Sequence, residues 1–178
     1  MNNKFERTDF IPVILAVLVV IADQLTKLWI LDSFKLHEQK VIIPGFFNLV
    51  HITNTGAAFG FLAGDKTSMR MFFFVGVAIT ALVVMAFAYP HLKKQGQIFV
   101  YAVGLIAGGA IGNLIDRLRF EAVIDFLDFY VGTHHWPAFN VADSCITTGV
   151  GLFLLGTILQ HFKEKRDGGG EVPKVPKV

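Results

Sequence analysis

The sequence predicts an α-helical integral membrane protein with four transmembrane helices and a small extracytoplasmic β-rich segment. Hydrophobic residues make up 53% of the 178 positions and the mean hydropathy is +0.56, so the chain is more apolar than an ordinary soluble domain. Four stretches are long enough to cross a bilayer, because a spanning helix needs about 20 mostly apolar residues. Two shorter segments between them are instead rich in β-branched and aromatic residues, which favour strands.

The four apolar stretches define one membrane-embedded domain, which we place at residues 1–162. The first stretch follows two basic residues but lacks the small-residue cleavage site of a secretory signal, so we interpret it as a retained helix. Pro90 is expected to close the second stretch, and residues 90–97 to form a bare connector. The predicted spans are about residues 10–31, 71–89, 98–115 and 141–160.

The chain after the fourth span is charged, then Gly-rich, then built from Val-Pro-Lys repeats. This composition is typical of disorder, so residues 163–178 are expected to form a disordered cytoplasmic tail. An even number of spans puts both termini on one side, and the modest excess of Lys and Arg there indicates that this side is cytoplasmic. Trp29 and Trp136 then fall at the opposite, outer interface, where aromatic anchors are common.

The two outer segments carry different patterns. Residues 40–53 are broken by Pro44-Gly45 and read as two short strands. Residues 118–139 mix large apolar residues with single acids, and the pattern fits either a strand pair or an amphipathic piece lying on the membrane surface.

Polar residues that belong to the spans collect at one level of the bilayer. Charged groups inside spans are rare and are candidates for function. Three helix ends and the second outer segment bring such groups to the outer face. The residues concerned are Asp23 with Lys27 on span one, Asn113, Asp116 and Arg117 on span three, Asn140 and Asp143 at the start of span four, and Asp125 between the last two spans.

Each of these residues also has a purely structural interpretation. Asp23 and Lys27 are spaced i, i+4 and can neutralise each other. The Asp116-Arg117 pair can serve as scaffolding, and Asp143 can act as a capping acid three residues after an Asn. Three further groups have bland interpretations as well. Gly104, Gly108 and Gly112 read as a close-packing face, Asp125 and Asp128 as solvated charges, and Cys145 as a small buried residue.

Two carboxylates in a poorly hydrated site suggest a specific chemistry. Like charges about 3 Å apart share one proton. One acid can then take a proton from water while the other protonates the substrate, which is non-covalent peptide hydrolysis. Asp125 and Asp143 form the natural pair, although spacing alone does not establish that they meet.

Five blocks of the chain, in order, resemble the conserved blocks of lipoprotein signal peptidases, also called signal peptidase II. The resemblance covers residues 23–144 and shows no departure at the two proposed acids. The blocks are Asp23-Gln24-Leu25-Thr26-Lys27, Asn54-Thr55-Gly56-Ala57-Ala58-Phe59-Gly60, Gly108-Gly109-Ala110-Ile111-Gly112-Asn113-Leu114-Ile115-Asp116-Arg117, Val123-Ile124-Asp125-Phe126 and Phe139-Asn140-Val141-Ala142-Asp143-Ser144.

This resemblance implies an aspartic endopeptidase of the bacterial inner membrane, with its active site near the outer leaflet. Its substrates would be prolipoproteins carrying a diacylglyceryl-cysteine, cut just before that cysteine among membrane lipids. Globomycin-type cyclic peptides would inhibit it, and no cofactor, metal or nucleic acid is expected. Asp125 and Asp143 would be catalytic. The supporting or substrate-binding residues would be Asp23, Lys27, Asn54, Gly56, Gly109, Asn113, Asp116, Arg117 and Asn140, with Arg117 and Asp116 together fixing the loop that carries Asp125.

Two other function classes remain open on the residues alone. A small ion-coupled membrane transporter could use acids within the membrane, although such carriers usually show repeat symmetry and acids near the midplane. A metal-dependent hydrolase could instead gather Asp116, Asp125, Asp128 and Asp143 around a cation.

Overall fold

The computed structural model describes residues 7–56 and 67–168. Within these ranges four helices are long and apolar enough to cross a membrane, which confirms the predicted fold class. A short 3-10 turn at Arg7–Phe10 leads into the first of them. The helices are α1 (Ile11–Ser33), α2 (Thr67–Gln95), α3 (Gln97–Phe120) and α4 (Val141–Gly168).

Helix α3 is the centre of the bundle, and its glycines allow the close packing. A Cβ atom added at Gly108 would lie 2.7 Å from Val19 Cβ and 2.8 Å from the Ala16 carbonyl oxygen on α1. One added at Gly109 would overlap the carbonyl oxygen of Ala142 on α4. Because lipid is as apolar as the helices, their association depends on such close backbone contacts. The predicted small-residue face of α3 is therefore confirmed.

Helix α2 does not end at Pro90 but continues to Gln95, so the expectation that Pro90 closes the helix is wrong. A proline so near a helix end disturbs little, since only the carbonyls of the preceding turn lose their bonds. The expected connector over residues 90–97 shrinks to Gly96, whose φ of +139° favours glycine.

Helix α4 is also longer than predicted. It extends to Gly168, so residues 163–168 are helical and not part of a disordered tail. Lys, Glu and Arg are good helix formers, which explains why the charged stretch continues the helix. Residues 169–178 lie outside the described part of the chain.

Four antiparallel strands cap one end of the bundle in the order β1-β2-β3-β4. The two strands predicted within residues 40–53 are confirmed, and residues 118–139 form a strand pair. Gly45, with φ +79°, makes the turn between the first two strands. The strands are β1 (Gln39–Ile43), β2 (Phe47–Asn54), β3 (Val123–Val131) and β4 (His134–His135).

The sheet is fixed to the end of α1 by a small apolar core. Ile30 of α1 and Phe34, the residue just after that helix, pack against Ile124 and Phe126 of β3, and all four side chains are buried. We call this end of the bundle the sheet end. The core places β3 above the ends of α1 and α3, next to the start of α4.

Candidate active site

Asp125 lies on β3 at the sheet end and is only 2% exposed. Its two carboxylate oxygens accept hydrogen bonds from the side-chain amides of Asn54, at 3.0 Å, and Asn140, at 2.8 Å. Both amides are held in this orientation, because each carbonyl oxygen accepts a backbone N–H. The donors are Gly56 N–H to Asn54 Oδ1 at 2.8 Å and Asp143 N–H to Asn140 Oδ1 at 2.9 Å.

Asp143 lies in the first turn of α4. Its Oδ1 accepts a hydrogen bond from Asn113 Nδ2 at 2.7 Å, and its Oδ2 accepts one from Asn140 N–H at 3.3 Å. With the return bond from Asp143 N–H, this is a reciprocal capping box, so the predicted capping role is confirmed. Lys27 Nζ donates to Asn113 Oδ1 at 3.0 Å, which turns the Asn113 amide nitrogen toward Asp143.

The two acids are therefore joined through one residue, because the side-chain amide of Asn140 donates to Asp125 and its backbone N–H donates to Asp143. Burial raises the pKa of Asp125 from its ordinary value of 3.8 to about 7, and the nearby charge of Asp143 adds to this. The amides of Asn54 and Asn140 and the charge of Lys27 oppose the rise. A carboxyl group with a pKa near 7 can both hold and release a proton at neutral pH, as acid–base catalysis requires.

A buried ion cluster lies beneath the two acids. Lys27, 2% exposed, contacts Asp23 and Asp116, each at 2.8 Å. The i, i+4 pair of Asp23 and Lys27 is confirmed. Asp116 differs from expectation, because its ion pair in the described part of the chain is with Lys27 and not with Arg117.

Each carboxylate of this cluster also holds one of the segments that carry the candidate acids. Asp23 Oδ1 accepts the backbone N–H of Ala142 at 2.9 Å, next to Asp143. Asp116 Oδ2 accepts the backbone N–H of Ile124 at 3.1 Å, next to Asp125. The cluster thus sets the positions of both α4 and β3.

Gln24 completes the cluster, and reasoning from the residues missed it. Its side-chain amide donates to Asp116 Oδ1 at 2.9 Å and to the Gly112 carbonyl at 3.2 Å. Polarity inside a span was the available signal. Gln24 enters the sequence-based prediction only as part of the block Asp23-Gln24-Leu25-Thr26-Lys27 that resembles lipoprotein signal peptidases.

Arg117 occupies the other side of the site. Its guanidinium donates to the Asn113 carbonyl at 3.3 Å and lies over the Phe74 ring of α2 at 5.1 Å. Gly56, with φ +83°, also contacts Phe74, because a Cβ atom there would overlap the ring. Among the described residues Arg117 forms no ion pair with Asp116; Asp116 holds Ile124 directly, and Arg117 contacts α2, so its action on the loop of Asp125 stays a prediction.

Asp128 was expected to be a solvated charge but is buried in a second polar group on the sheet. Its carboxylate accepts a hydrogen bond from Asn48 at 2.8 Å and contacts His135 Nδ1 at 2.8 Å. Asp116, Asp128 and the two candidate acids thus have separate partners. Within residues 7–56 and 67–168, no three His, Cys, Asp or Glu side chains are grouped as a metal would require.

A cavity of about 290 Å³ opens beside Asp125. Strand β2 forms one wall through Ile52, Thr53, Asn54 and Thr55, and Pro137 with Ala138 forms the other. An extended peptide lying along β2 would place a backbone amide near Asp125. The arrangement can therefore present two acids, one of them with a raised pKa, to a peptide bond at the sheet end.

Comparisons with known proteins identify the family of this chain. The family model of signal peptidase (SPase) II matches residues 15–159. A lipoprotein signal peptidase of Syntrophus aciditrophicus is 47% identical over 152 residues, covering 85% of this chain and 94% of the relative. One of Syntrophotalea carbinolica is 50% identical over 145 residues, covering 82% and 89%.

A solved structure described as a bacterial membrane enzyme, obtained by the in meso method at 1.9 Å, has the same fold. The TM-score is 0.73 at 34% identity, and the match covers 88% of this chain and 97% of that one. The chain is thus a bacterial membrane protein, and the transporter interpretation is not supported. It belongs to the signal peptidase II family of aspartic peptidases, whose members remove the signal peptides of lipoproteins.

Proposed function

We propose that Asp125 and Asp143 form the catalytic dyad that cuts prolipoproteins just before their diacylglyceryl-cysteine. The observation that carries this proposal is the bonding of Asn140 to both carboxylates, at the point where β3 meets α4. Two acids held by one residue, one through its side chain and one through its backbone N–H, and one of them with a raised pKa, suit a shared proton.

We assign the proton in the resting dyad to Asp125. Asp125 is the more buried of the two acids and has the raised pKa. Asp143 would take a proton from water as the water oxygen attacks the scissile carbonyl carbon. Asp125 would give its proton to the carbonyl oxygen. When the carbon–nitrogen bond breaks, the leaving amine receives the proton from Asp143, and Asp125 takes back a proton from one hydroxyl of the gem-diol as it collapses to the carboxylic acid.

The supporting residues take roles that follow from their contacts. Asn140 and Asn113 orient the carboxylates, and Asn54 both holds Asp125 and lines the cavity beside it. Asp23, Lys27 and Asp116 position α4 and β3. Gly109 permits the contact of α3 with α4, and Gly56 fits against Phe74, which Arg117 also contacts.

The same proposal covers the membrane arrangement. We place both termini in the cytoplasm and the sheet end at the outer leaflet, following the distribution of Lys and Arg. A substrate helix that crosses the membrane would then present its cut site at the level of Asp125 and Asp143. Globomycin-type cyclic peptides would occupy the same level. The whole of residues 1–162 would work as one domain.

The test is cleavage of a diacylglyceryl-modified prolipoprotein by purified protein in the presence of a chelator. Wild type should cut, whereas Asp125→Asn and Asp143→Asn should be inactive although folded. Asp128→Asn is the matched control and should keep activity, since Asp128 belongs to the other polar group. Near-normal turnover by either dyad variant would refute the pairing. Cleavage of an unmodified prolipoprotein at the same rate would refute the assigned substrate.

A further inference from the structure

A second cavity lies between α1 and α2, with α3 as its floor. Its volume is about 590 Å³, within the range of small-molecule sites, about 300–1,000 Å³. The lining is almost entirely apolar. Its lining includes Val13 and Ile21 of α1, Ala86 and Tyr89 of α2, and Ala107 of α3. We call this cavity the α1–α2 groove.

The groove exists because α2 is weakly packed. Only 6% of the span of α2 is buried inside the protein, against 50% of that of α3. Among the described helices, α2 makes its main contact with α3. At the end of the bundle opposite the sheet, Lys93 of α2 forms an ion pair with Asp9 at 2.7 Å. This ion pair thus fixes α2 to the start of α1. Between the ion pair and the sheet end, an apolar gap separates the two helices.

The depth of the groove limits what can fill it. On α1 it runs from Pro12 to Ile21, about 14 Å of helix, which is close to half of the bilayer hydrocarbon core of about 30 Å. This half is the one away from the sheet end. The lipid of the proposed substrate is attached beside the cut bond, so its chains belong to the leaflet of Asp125 and Asp143. A chain in the groove must therefore come from the other leaflet.

We propose that the α1–α2 groove binds one acyl chain of a phospholipid from the leaflet opposite the active site. The groove is continuous with the lipid-facing surface of α1, where Val13 and Val17 are exposed. The polar residues of the groove lining, Asp9 and Tyr89, lie at the end of the groove away from the sheet, where Lys93 pairs with Asp9. Because Asp9 and Lys93 pair with each other and together carry no net charge, the matching headgroup is a zwitterionic one such as phosphatidylethanolamine, whose ammonium and phosphate can lie beside the pair. The bound chain fills the gap that helix packing leaves and supports α2.

The experiment places the full-length protein in vesicles that contain phosphatidylethanolamine with a photoreactive group midway along one acyl chain. After illumination, labelled residues are identified by fragmentation mass spectrometry. Ala86→Phe fills the groove from α2, and Ala81→Phe is the matched control. Both alanines are exposed, and Ala81 lines a separate, more open apolar cavity of about 630 Å³ on another face of α2.

We expect groove residues to carry at least about three times as much label as the exposed residues Leu154 and Leu155 of α4, which face bulk lipid. Such an excess indicates binding at a site. Ala86→Phe should remove this excess, and Ala81→Phe should retain it. Equal labelling of α4 and the groove in wild type, or an excess unchanged in Ala86→Phe, would overturn the proposal. Displacement of the label by a diacylglyceryl-cysteine peptide would assign the groove to substrate lipid instead. Because prolipoprotein cleavage is measured separately, either result is distinct from failure of the proposed function.

Discussion

Asn140 and Asp143 exchange two hydrogen bonds across the first turn of α4, with Asn140 Oδ1 accepting the Asp143 N–H at 2.9 Å and Asp143 Oδ2 accepting the Asn140 N–H at 3.3 Å. The same Asn140 side chain donates to Asp125 at 2.8 Å. One residue therefore both caps a helix and joins two carboxylates. These two tasks can be separated by substitution.

Asn140→Ser should separate capping from dyad assembly. Serine caps a helix about as well as asparagine but has no amide to reach Asp125. We expect Asn140→Ser to keep most thermal stability and to lose at least about 100-fold in kcat, the usual scale for a group that positions a catalytic acid. Asn140→Ala should lose similar activity and about 1 kcal/mol more stability. Equal kcat in Asn140→Ser and wild type would show that the bridge to Asp125 is dispensable.

The pH dependence of cleavage should report the proton on Asp125. Its pKa is raised to about 7, so Asp125 stays protonated below that pH and ionises above it. If it is the acid, kcat/KM should fall as pH rises through about 7. The Asn54 amide opposes the rise in pKa, so Asn54→Ala should raise it further and move this falling limb to higher pH. A limb that moves to lower pH, or does not move, would contradict the assignment.

The raised pKa of Asp125 also predicts a stability effect. The folded state holds this proton more tightly than the unfolded state, whose pKa is near 3.9. The resulting destabilisation is absent below about pH 4, grows as pH rises, and is complete above about pH 7. The Tm of wild type minus that of Asp125→Asn should therefore decrease between pH 4 and pH 7. The same Tm difference measured for Asp128→Asn serves as a comparison. If the Tm of wild type minus that of Asp125→Asn instead increased between pH 4 and pH 7, the prediction would be contradicted.

Removing the buried Lys27 ammonium alone should destabilise the fold more than removing it together with the charge of Asp23. Lys27→Met leaves the carboxylates of Asp23 and Asp116 without a countercharge, which typically costs about 3–5 kcal/mol. The double variant Lys27→Met/Asp23→Asn removes one uncompensated charge and should recover part of the folded yield. Yield can be followed by size-exclusion chromatography in detergent. Additive losses in the double variant would show that the three groups are not coupled.

Gly112 should tolerate no side chain. A Cβ atom there would lie 2.5 Å from Asp23 Oδ2, so Gly112→Ala should displace the Asp23 carboxylate and cost about 1–3 kcal/mol. Gly151→Ala on α4 is the control, because nothing lies within 4 Å of its added Cβ. That substitution should be neutral or stabilise by up to about 1 kcal/mol through helix propensity. Equal melting temperatures for the two variants would refute the crowding at Gly112.

The sequence predicts the spans, the strands of residues 40–53 and the gathering of polar groups at one end of the bundle. It does so because hydropathy and β-branched content determine the secondary structure of each segment by itself. The partner of Asp116 could not be predicted, since Arg117 is adjacent in the chain whereas Lys27 is brought near only by the packing of α1 on α3. The burial of Asp128 likewise depends on Asn48 from another strand. The continuation of α2 past Pro90 reflects tolerance at a helix end, which proline content alone does not reveal.

The single residue between α2 and α3 has a mechanical consequence. Gly96 and the Asp9–Lys93 ion pair both hold α2 at the end away from the sheet. A helix of 29 residues is about 43 Å long, so a pivot at that end magnifies small rotations at the other. Tilting α2 by about 10° would move the turn before Phe74 by about 7 Å while Gly96 stayed in place. The largest movement of α2 in such a tilt thus occurs at the end beside Arg117, at the level of the two acids.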